Sequence, residues 1–147
     1  NEQESSNPIF TYLKKQHVLS LCCSFDDDIW CANCFYVFDE KEVAFYLMTS
    51  AESRHSKLML NNHLVAGTVN GQPKNISLIK GIQYKGVISL LAEENKNNAL
   101  SLYTKRFPIA KIKSLPLWKV EISELKFTNN ILGFGNKSDW HREYSSR

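Results

Sequence analysis

Short runs that alternate apolar and polar residues, separated by turn-forming residues, recur along most of this chain and favour an antiparallel β fold. Residues 17–25 place Leu19, Leu21, Cys23 and Phe25 on one side of a predicted strand. The three aspartates at 26–28 predict a turn, and the aromatic-rich run at 29–38 predicts a second strand, so the two form a hairpin. Further strands are predicted over residues 43–48, 64–69, 76–91 and 117–127.

Helical patterns interrupt these strands at three places. Pro8 begins one pattern, with apolar residues at 9, 10 and 13, and residues 93–107 form another that Pro108 ends. Between them, Thr49-Ser50-Ala51-Glu52 has the form of a capping box, which predicts a helix from there to about Leu60.

The predicted sheet also carries signals for turns and bends. Asn70-Gly71 predicts a tight hairpin turn, and Gly81 and Gly86 predict a bulge within the long strand that follows. A closed barrel accommodates such bends and leaves no free strand edge. We therefore predict a mainly β fold, a β-barrel with peripheral helices. Residues 1–147 form a single domain, with residues 1–8 and 136–147 as flexible or interface tails.

Composition restricts the partners and the compartment. Hydrophobic residues make up 43% and charged residues 22% of the chain, as in ordinary globular proteins. No run approaches the roughly 18 to 20 apolar residues that span a membrane. The polar N-terminus does not resemble a secretory signal, so we expect a cytoplasmic protein. The net charge of +3 comes without clustering, so no nucleic-acid partner is expected.

The four cysteines do not predict a metal site. Cys31 and Cys34 have C-x-x-C spacing, but positions three apart on a strand point to opposite faces, and the neighbours Cys22 and Cys23 diverge as well. We expect reduced thiols that act as small buried apolar side chains. Cys23 and Cys31 are expected to lie across the first hairpin, where an oxidising buffer would link them.

The segment 49–57 combines hydroxyl and cationic side chains where a strand runs into a helix. Free N–H groups at a helix start attract anions, and Thr49, Ser50 and Ser53 add hydroxyl donors. Arg54 is suited to clamp a phosphate with two hydrogen bonds, and His55 or Lys57 adds a second positive contact. Ordinary helix capping with exposed charges is the alternative interpretation.

Several segments together resemble the pyridoxamine 5′-phosphate oxidase-like split-barrel superfamily, and most closely its small YhbP-type bacterial members. These segments cover residues 15–18, 30–36, 65–74, 105–108, 126–130 and 132–135. The resemblance implies a homodimer that binds FMN at the subunit interface. The implied cofactor-binding positions are Cys31, Ala32, Asn33, Cys34, Thr49, Ser50, Ser53, Arg54, His55 and Lys80.

The chain also departs from the pattern of the oxidases. Cys31 stands where their strand begins with arginine, and His55 replaces the usual lysine. Their closing C-terminal segment is reduced to Trp140-His141-Arg142, so a genuine pyridoxamine phosphate oxidase is not expected. Three functions stay open: a flavin-dependent oxidoreductase of unknown substrate, a non-catalytic binding or stress-related dimer that has lost the flavin, and a haem-binding relative. The last would need an axial ligand among His17, His63 and His141.

Overall fold

Six antiparallel strands close into a barrel, and a seventh strand extends one edge. The computed structural model describes residues 7–111, 115–133 and 135–144. The strands are β1 (Val18–Phe25), β2 (Asp28–Asp39), β3 (Ala44–Met48), β4 (Leu64–Asn70), β5 (Lys80–Leu90), β6 (Leu117–Asn129) and β7 (Lys137–His141). Their order is β3-β2-β1-β4-β5-β6-β7, and β3 also pairs with β6, which closes the barrel. The predicted mainly β architecture is therefore confirmed.

Strand β6 is long enough to pair with three neighbouring strands. Its first half, from Leu117 to Glu121, pairs with β3, and its second half, from Glu124 to Thr128, pairs with β7. Along its other edge it pairs with β5, with a register shift between Lys85 and Gly86. The bulge predicted from Gly86 is confirmed, and it bends β5 where the sheet curls. At Gly81 the pairing stays regular, so the bend predicted there is wrong.

The barrel interior is filled by the inward positions of all six barrel strands. Alternation predicted this face for Leu19, Leu21, Cys23 and Phe25. The first three are buried, but the prediction is wrong for Phe25, which is 44% exposed because it is the last residue of β1 before the hairpin turn. The rest of the core is aromatic-rich, with ring pairs such as Tyr36–Phe45 at 4.9 Å between centroids. Close packing of this kind makes the barrel rigid, so that side chains on its rim and outer face are held in fixed positions.

Within the described ranges, three helices surround the barrel: α1 (Pro8–Lys15), α2 (Arg54–Asn61) and α3 (Asn97–Arg106). The predicted capping box starts α2 too early, because Ser53 and not Thr49 is its N-cap; the Ser53 hydroxyl accepts a hydrogen bond from the Ser56 N–H. The wholly buried Met59 places α2 over one end of the barrel, against the core.

The β4–β5 connection is longer than a tight turn. The Gly71 N–H donates to the Tyr12 hydroxyl at 3.2 Å instead of closing a two-residue hairpin. Asn75 then caps a short 3-10 turn at Ile76–Leu78, and β5 begins only at Lys80. These side-chain interactions replace the turn that Asn70-Gly71 predicted.

Part of the predicted C-terminal tail belongs to the sheet. Residues 137–141 form β7, and the Arg142 guanidinium donates to the carbonyls of Ile122, Glu42 and Val43 at 2.8 to 2.9 Å. Arg142 thus fastens the chain end where β3 meets β6. The flexible tails predicted at residues 1–6 and 145–147 lie outside the described residues. In the ranges the structure describes, no helix is long and apolar enough to cross a membrane.

Candidate functional site

The link from β3 into α2 places two hydroxyls on one imidazole, with Ser50 bound to one of them through its carbonyl. Thr49, Ser50, Ser53 and His55, all half-buried, form what we call the hydroxyl–histidine corner. The His55 Nε2 lies 2.6 Å from the Thr49 Oγ1 and 3.1 Å from the Ser53 Oγ. The Ser53 hydroxyl also donates to the Ser50 carbonyl at 2.9 Å. These four of the predicted binding residues are therefore brought together.

The corner has the chemistry of an anion site as well as that of a helix cap. It stands at the first turn of α2, where backbone N–H groups and the helix dipole favour negative charge. Its hydroxyls are rotatable donors that now bond within the corner. Partial burial lowers the pKa of His55 below its ordinary value of 6.5, so the ring is neutral at neutral pH.

This pKa shift predicts an acid sensitivity. Because the folded pKa of His55 lies below the unfolded value, its stabilising contribution is complete above about pH 6.5 and is lost as the pH falls through the folded pKa. We expect the urea midpoint of the wild type to fall more steeply than that of His55→Gln between about pH 7 and pH 5. The exposed His63→Gln serves as the control. Equal slopes for wild type and His55→Gln would contradict the assignment.

Arg54 lies outside the corner, contrary to the predicted clamp. Its guanidinium forms two hydrogen bonds with the Asp28 carboxylate, at 2.6 and 3.2 Å, and stacks 4.1 Å from the centre of the Trp30 ring. The Arg54 side chain lowers the pKa of Asp28 through these hydrogen bonds. Arg54 therefore ties α2 to the first hairpin, and a phosphate role would require it to leave Asp28.

Strand β2 divides its four predicted site residues between two faces. Cys31 and Asn33 are exposed on the outer face, whereas Cys34 is buried in the core and Ala32 points the same way as Cys34. Cys34 thus meets the expectation of a small buried side chain, and burial raises its pKa to about 11. The exposed Cys31 does not meet that expectation.

The expected pairing across the hairpin is wrong by one residue. Cys22 lies opposite Cys31, and Cys23 lies opposite Trp30. The two-residue turn at Asp26 and Asp27 sets this register, which sequence alone left open between neighbouring cysteines.

Lys80 is separated from the other predicted site residues. It is the first residue of β5, where its carbonyl accepts a hydrogen bond from the Tyr12 hydroxyl. The end of β5 that reaches α2 is marked by Ile88, whose N–H donates to the His63 carbonyl. Lys80 and Ile88 are eight residue steps apart along the strand, about 26 Å at roughly 3.3 Å each. The structure therefore does not unite Lys80 with the corner.

An apolar cavity of about 310 Å³, which no sequence pattern predicted, lies between the barrel and α3. Its walls include Phe35, Met48, Tyr103, Phe107, Ile109 and Leu115. Met48 directly precedes Thr49, and the Thr49 N–H donates to the Pro116 carbonyl at 3.2 Å, so the cavity adjoins the corner. The outward position of Phe35 on β2 was the one sequence signal for it.

The ladder leaves one edge of β2 open beside this region. A hydrogen bond from the Tyr36 N–H to the His17 carbonyl shows that even-numbered residues of β2 bond towards β1. The backbone groups of Cys31 and Asn33 therefore point to the other edge. Strand β3 pairs along that edge only from Tyr36 onward and leaves it near Thr49. The unpaired stretch of β2 thus lies next to the hydroxyl–histidine corner.

Histidines and cysteines form no metal centre in the described ranges, where no three potential ligands gather. The His17 Nδ1 lies 2.7 Å from the Arg106 guanidinium, and the His141 Nδ1 lies 3.6 Å from the Glu124 carboxylate. Both rings have polar partners on the surface and do not line the apolar cavity.

Solved structures share this barrel at low sequence identity. A haem-binding protein from Mycobacterium smegmatis matches with a TM-score of 0.72 and 13% identity, over 86% of this chain and 53% of that one. A FAD-binding protein from Mesorhizobium loti matches with a TM-score of 0.66 and 12% identity, over 84% and 94% of the two chains. The fold is the split barrel of the pyridoxamine phosphate oxidase-like type.

Sequence comparison identifies much nearer relatives. No protein-family model matches the chain. A UPF0306 protein from Yersinia pseudotuberculosis serotype O:3 (strain YPIII) is 55% identical over 131 residues, which is 89% of this chain and 89% of the relative. A UPF0306 protein from Yersinia pestis is 54% identical over the same share of both chains. With this identity over nearly the whole length, the chain belongs to the UPF0306 family.

Proposed function

We propose that this protein is a dimeric FMN-binding split-barrel protein that serves as a flavin-dependent oxidoreductase. The observation that carries the proposal is the adjacency of three features: the hydroxyl–histidine corner, the open edge of β2 and the apolar cavity. A phosphate needs donors, a flavin ring edge needs backbone partners, and the flat ring needs apolar walls. Bound flavin supplies hydride and electron transfer; the chain supplies position and environment.

The corner fits the phosphate group. Thr49 turns its hydroxyl from His55 to a phosphate oxygen, and Ser53 turns its hydroxyl there from the Ser50 carbonyl. The first N–H groups of α2 add donors without a change of backbone. Neutral His55 donates through Nε2 once its proton sits there, because the surrounding hydroxyls accept as readily as they donate. Arg54, when released from Asp28, is the one guanidinium on this first turn.

The edge of β2 and the apolar cavity fit the ring. Backbone groups of Cys31 and Asn33 are free of strand partners along this edge, so they offer N–H donors and C=O acceptors to a ring edge. Phe35 and Met48 supply apolar contact beside it, and Tyr103 fixes this wall because its hydroxyl donates to the Phe35 carbonyl at 3.3 Å. That the chain belongs to the YhbP-type group of this superfamily stays a prediction.

The outer sheet face supports dimerisation. We define this face by its outward side chains, which are Val18, Ser20, Cys22, Ile29, Cys31, Asn33, Phe35, Leu64, Ala66, Thr68, Lys85 and Val87. Lys85 is its single charged member, and Ile29 and Phe35 are 71% and 58% exposed. Apolar surface of this kind marks an interface. We therefore assign this face to contact with a second copy.

Phe35→Asp should convert the dimer into a monomer, because it places an unpaired charge in the interface. Sedimentation equilibrium at micromolar concentration measures the change. Leu132→Asp, an equally apolar-to-acidic change at a 70% exposed residue outside the face, is expected to leave the dimer intact. A monomeric wild type, or equal behaviour of both variants, would refute the assignment.

FMN titration tests the cofactor. We expect saturable quenching of flavin fluorescence by the wild type. Linkage further predicts that FMN at a hundredfold excess over Kd raises the free energy of unfolding by about 2.7 kcal/mol. An unchanged unfolding midpoint with saturating FMN would instead support the non-catalytic dimer that has lost its flavin.

Haem is the second candidate, favoured by the apolar cavity and by the shared fold with the mycobacterial haem-binding protein. No histidine among the described residues lines that cavity, so haem ligation would depend on His17, His63 or His141 at another surface. A haem titration distinguishes the two cofactors. A Soret band that disappears in one of the three His→Ala variants would establish haem and displace the flavin proposal.

A further inference from the structure

We propose that Cys22 and Cys31 are a reversible dithiol–disulfide pair, a two-electron redox site on the outer sheet face. Their Sγ atoms lie 2.7 Å apart and no bond joins them. The inference stands on these two residues and their strands, and it requires neither flavin nor haem.

The register of the hairpin brings the two residues into the right geometry. Cys22 and Cys31 are direct partners in the β1–β2 ladder. The hydrogen bond from the Tyr36 N–H to the His17 carbonyl makes the pairs at odd positions of β1 the hydrogen-bonded ones. Cys22–Cys31 is therefore a non-hydrogen-bonded pair, whose Cα atoms are separated by about 4.5 Å. Disulfides span Cα distances of about 4.4 to 6.8 Å, so the bond can form without opening the sheet.

The other two cysteines take no part in this chemistry because their side chains point into the barrel. Cys23 and Cys34 point into the core and are buried. The Cys23 thiol donates weakly to the carbonyls of Trp30 and His55, at 3.4 and 3.8 Å. Alternation thus divides four clustered cysteines into two structural thiols and one facing pair.

Exposure assigns the roles within the pair. Cys31 is exposed, whereas Cys22 is half-buried, and both burial and the Cys31 side chain raise its pKa to about 11. Cys31 is therefore the thiol that reacts first, and Cys22 is the resolving thiol.

The step balances with a peroxide as the oxidant. The Cys31 thiolate attacks one oxygen of hydrogen peroxide, the O–O bond breaks, and hydroxide leaves and is protonated. Cys22 then attacks the sulfenic sulfur of Cys31, the S–O bond breaks, and water leaves. The two thiols lose two electrons and two protons to form the S–S bond, and one peroxide becomes two waters. An external dithiol reverses the oxidation.

The test treats the reduced full chain with hydrogen peroxide, removes the excess and alkylates the remaining thiols before mass spectrometry. We expect two alkylated cysteines instead of four and a mass lower by about 2 Da before alkylation. Trypsin leaves all four cysteines between Lys15 and Lys41, so cleavage at the aspartates 26–28 is used to separate the two strands. The linked fragments should join Cys22 to Cys31, and dithiothreitol should release them.

Matched variants decide the outcome. Cys22→Ser and Cys31→Ser should each abolish the linkage, and Cys34→Ser should keep it. The same treatment is applied to Phe35→Asp, in which the outer sheet face is expected to be exposed because the dimer is lost. A linkage in this variant reports on the geometry of the pair, independently of whether a dimer keeps the oxidant out. Four free thiols after oxidation of Phe35→Asp, a linkage to Cys23 or Cys34, or an intermolecular disulfide would overturn the proposal.

Discussion

Replacing Gly67 by alanine is expected to lower the free energy of unfolding by about 4 kcal/mol, because a close approach in the barrel wall leaves no room for a methyl group. A Cβ at Gly67 would lie 1.9 Å from the Ser20 carbonyl oxygen and 2.6 Å from the Tyr84 hydroxyl. The Tyr84 side chain packs over Gly67, and its hydroxyl donates to the Ser20 carbonyl at 2.7 Å. Alanine therefore forces backbone apart and breaks a buried hydrogen bond.

Thermal and urea unfolding measure the effect, and a melting temperature lower by about 8 to 16 °C is expected for a domain of this size. Gly71→Ala is the matched control, since nothing lies within 4 Å of its added Cβ. If the two variants unfolded at the same midpoint, the packing of Tyr84 over Gly67 would be wrong.

Ser53→Asp is expected to weaken FMN binding about a hundredfold while the protein stays fully folded. Aspartate is as good an N-cap as serine, so α2 keeps its cap to the Ser56 N–H. The carboxylate replaces a donor to the phosphate with a like charge, and the loss of a charged hydrogen bond alone costs about 1.5 to 3 kcal/mol. Flavin fluorescence gives the affinities, and circular dichroism checks that the fold is unchanged.

Riboflavin and two control variants show whether the loss concerns the phosphate. Riboflavin lacks the phosphate, so its weaker binding should be the same in wild type and Ser53→Asp. Ser138→Asp adds the same charge on β7, and Lys80→Ala removes a cation at the far end of β5; both should bind FMN like the wild type. An equal loss in Lys80→Ala would contradict a phosphate site at the hydroxyl–histidine corner.

The barrel was predictable because alternation is a local property that survives in each strand. Period two predicted the burial of Leu19, Leu21 and Cys23 correctly and failed only for Phe25 at the strand end. Glycine predicted the bulge at Gly86 correctly but also a bend at Gly81, where the pairing is regular. Closure of the barrel is different, because the pairing of β3 with the first half of β6 joins residues 69 to 77 positions apart in the sequence. No pattern within either strand encodes that partner.

The site was predictable only in part, for the same reason. Thr49, Ser50, Ser53 and His55 are neighbours in sequence, and the helix start brings them together. Arg54 pairs with Asp28, which lies on β2. The position of the Arg54 side chain outside the corner therefore depends on how α2 packs against β2, which the local sequence does not show. The pairing of Cys22 with Cys31 depends on the exact length of the turn, because a shift of the strand register by one residue would place a different residue opposite Cys31.

The location of the flavin is the central claim, and amide chemical-shift mapping of the nitrogen-15 labelled protein tests it most directly. Addition of FMN should shift the resonances of the hydroxyl–histidine corner and of residues 31–35 on β2 together, with saturation at one FMN per chain. The resonance of Lys80 and those of β7 should stay in place. Shifts confined to other surfaces, or no saturable shift at all, would contradict a flavin site between the corner and the open edge of β2.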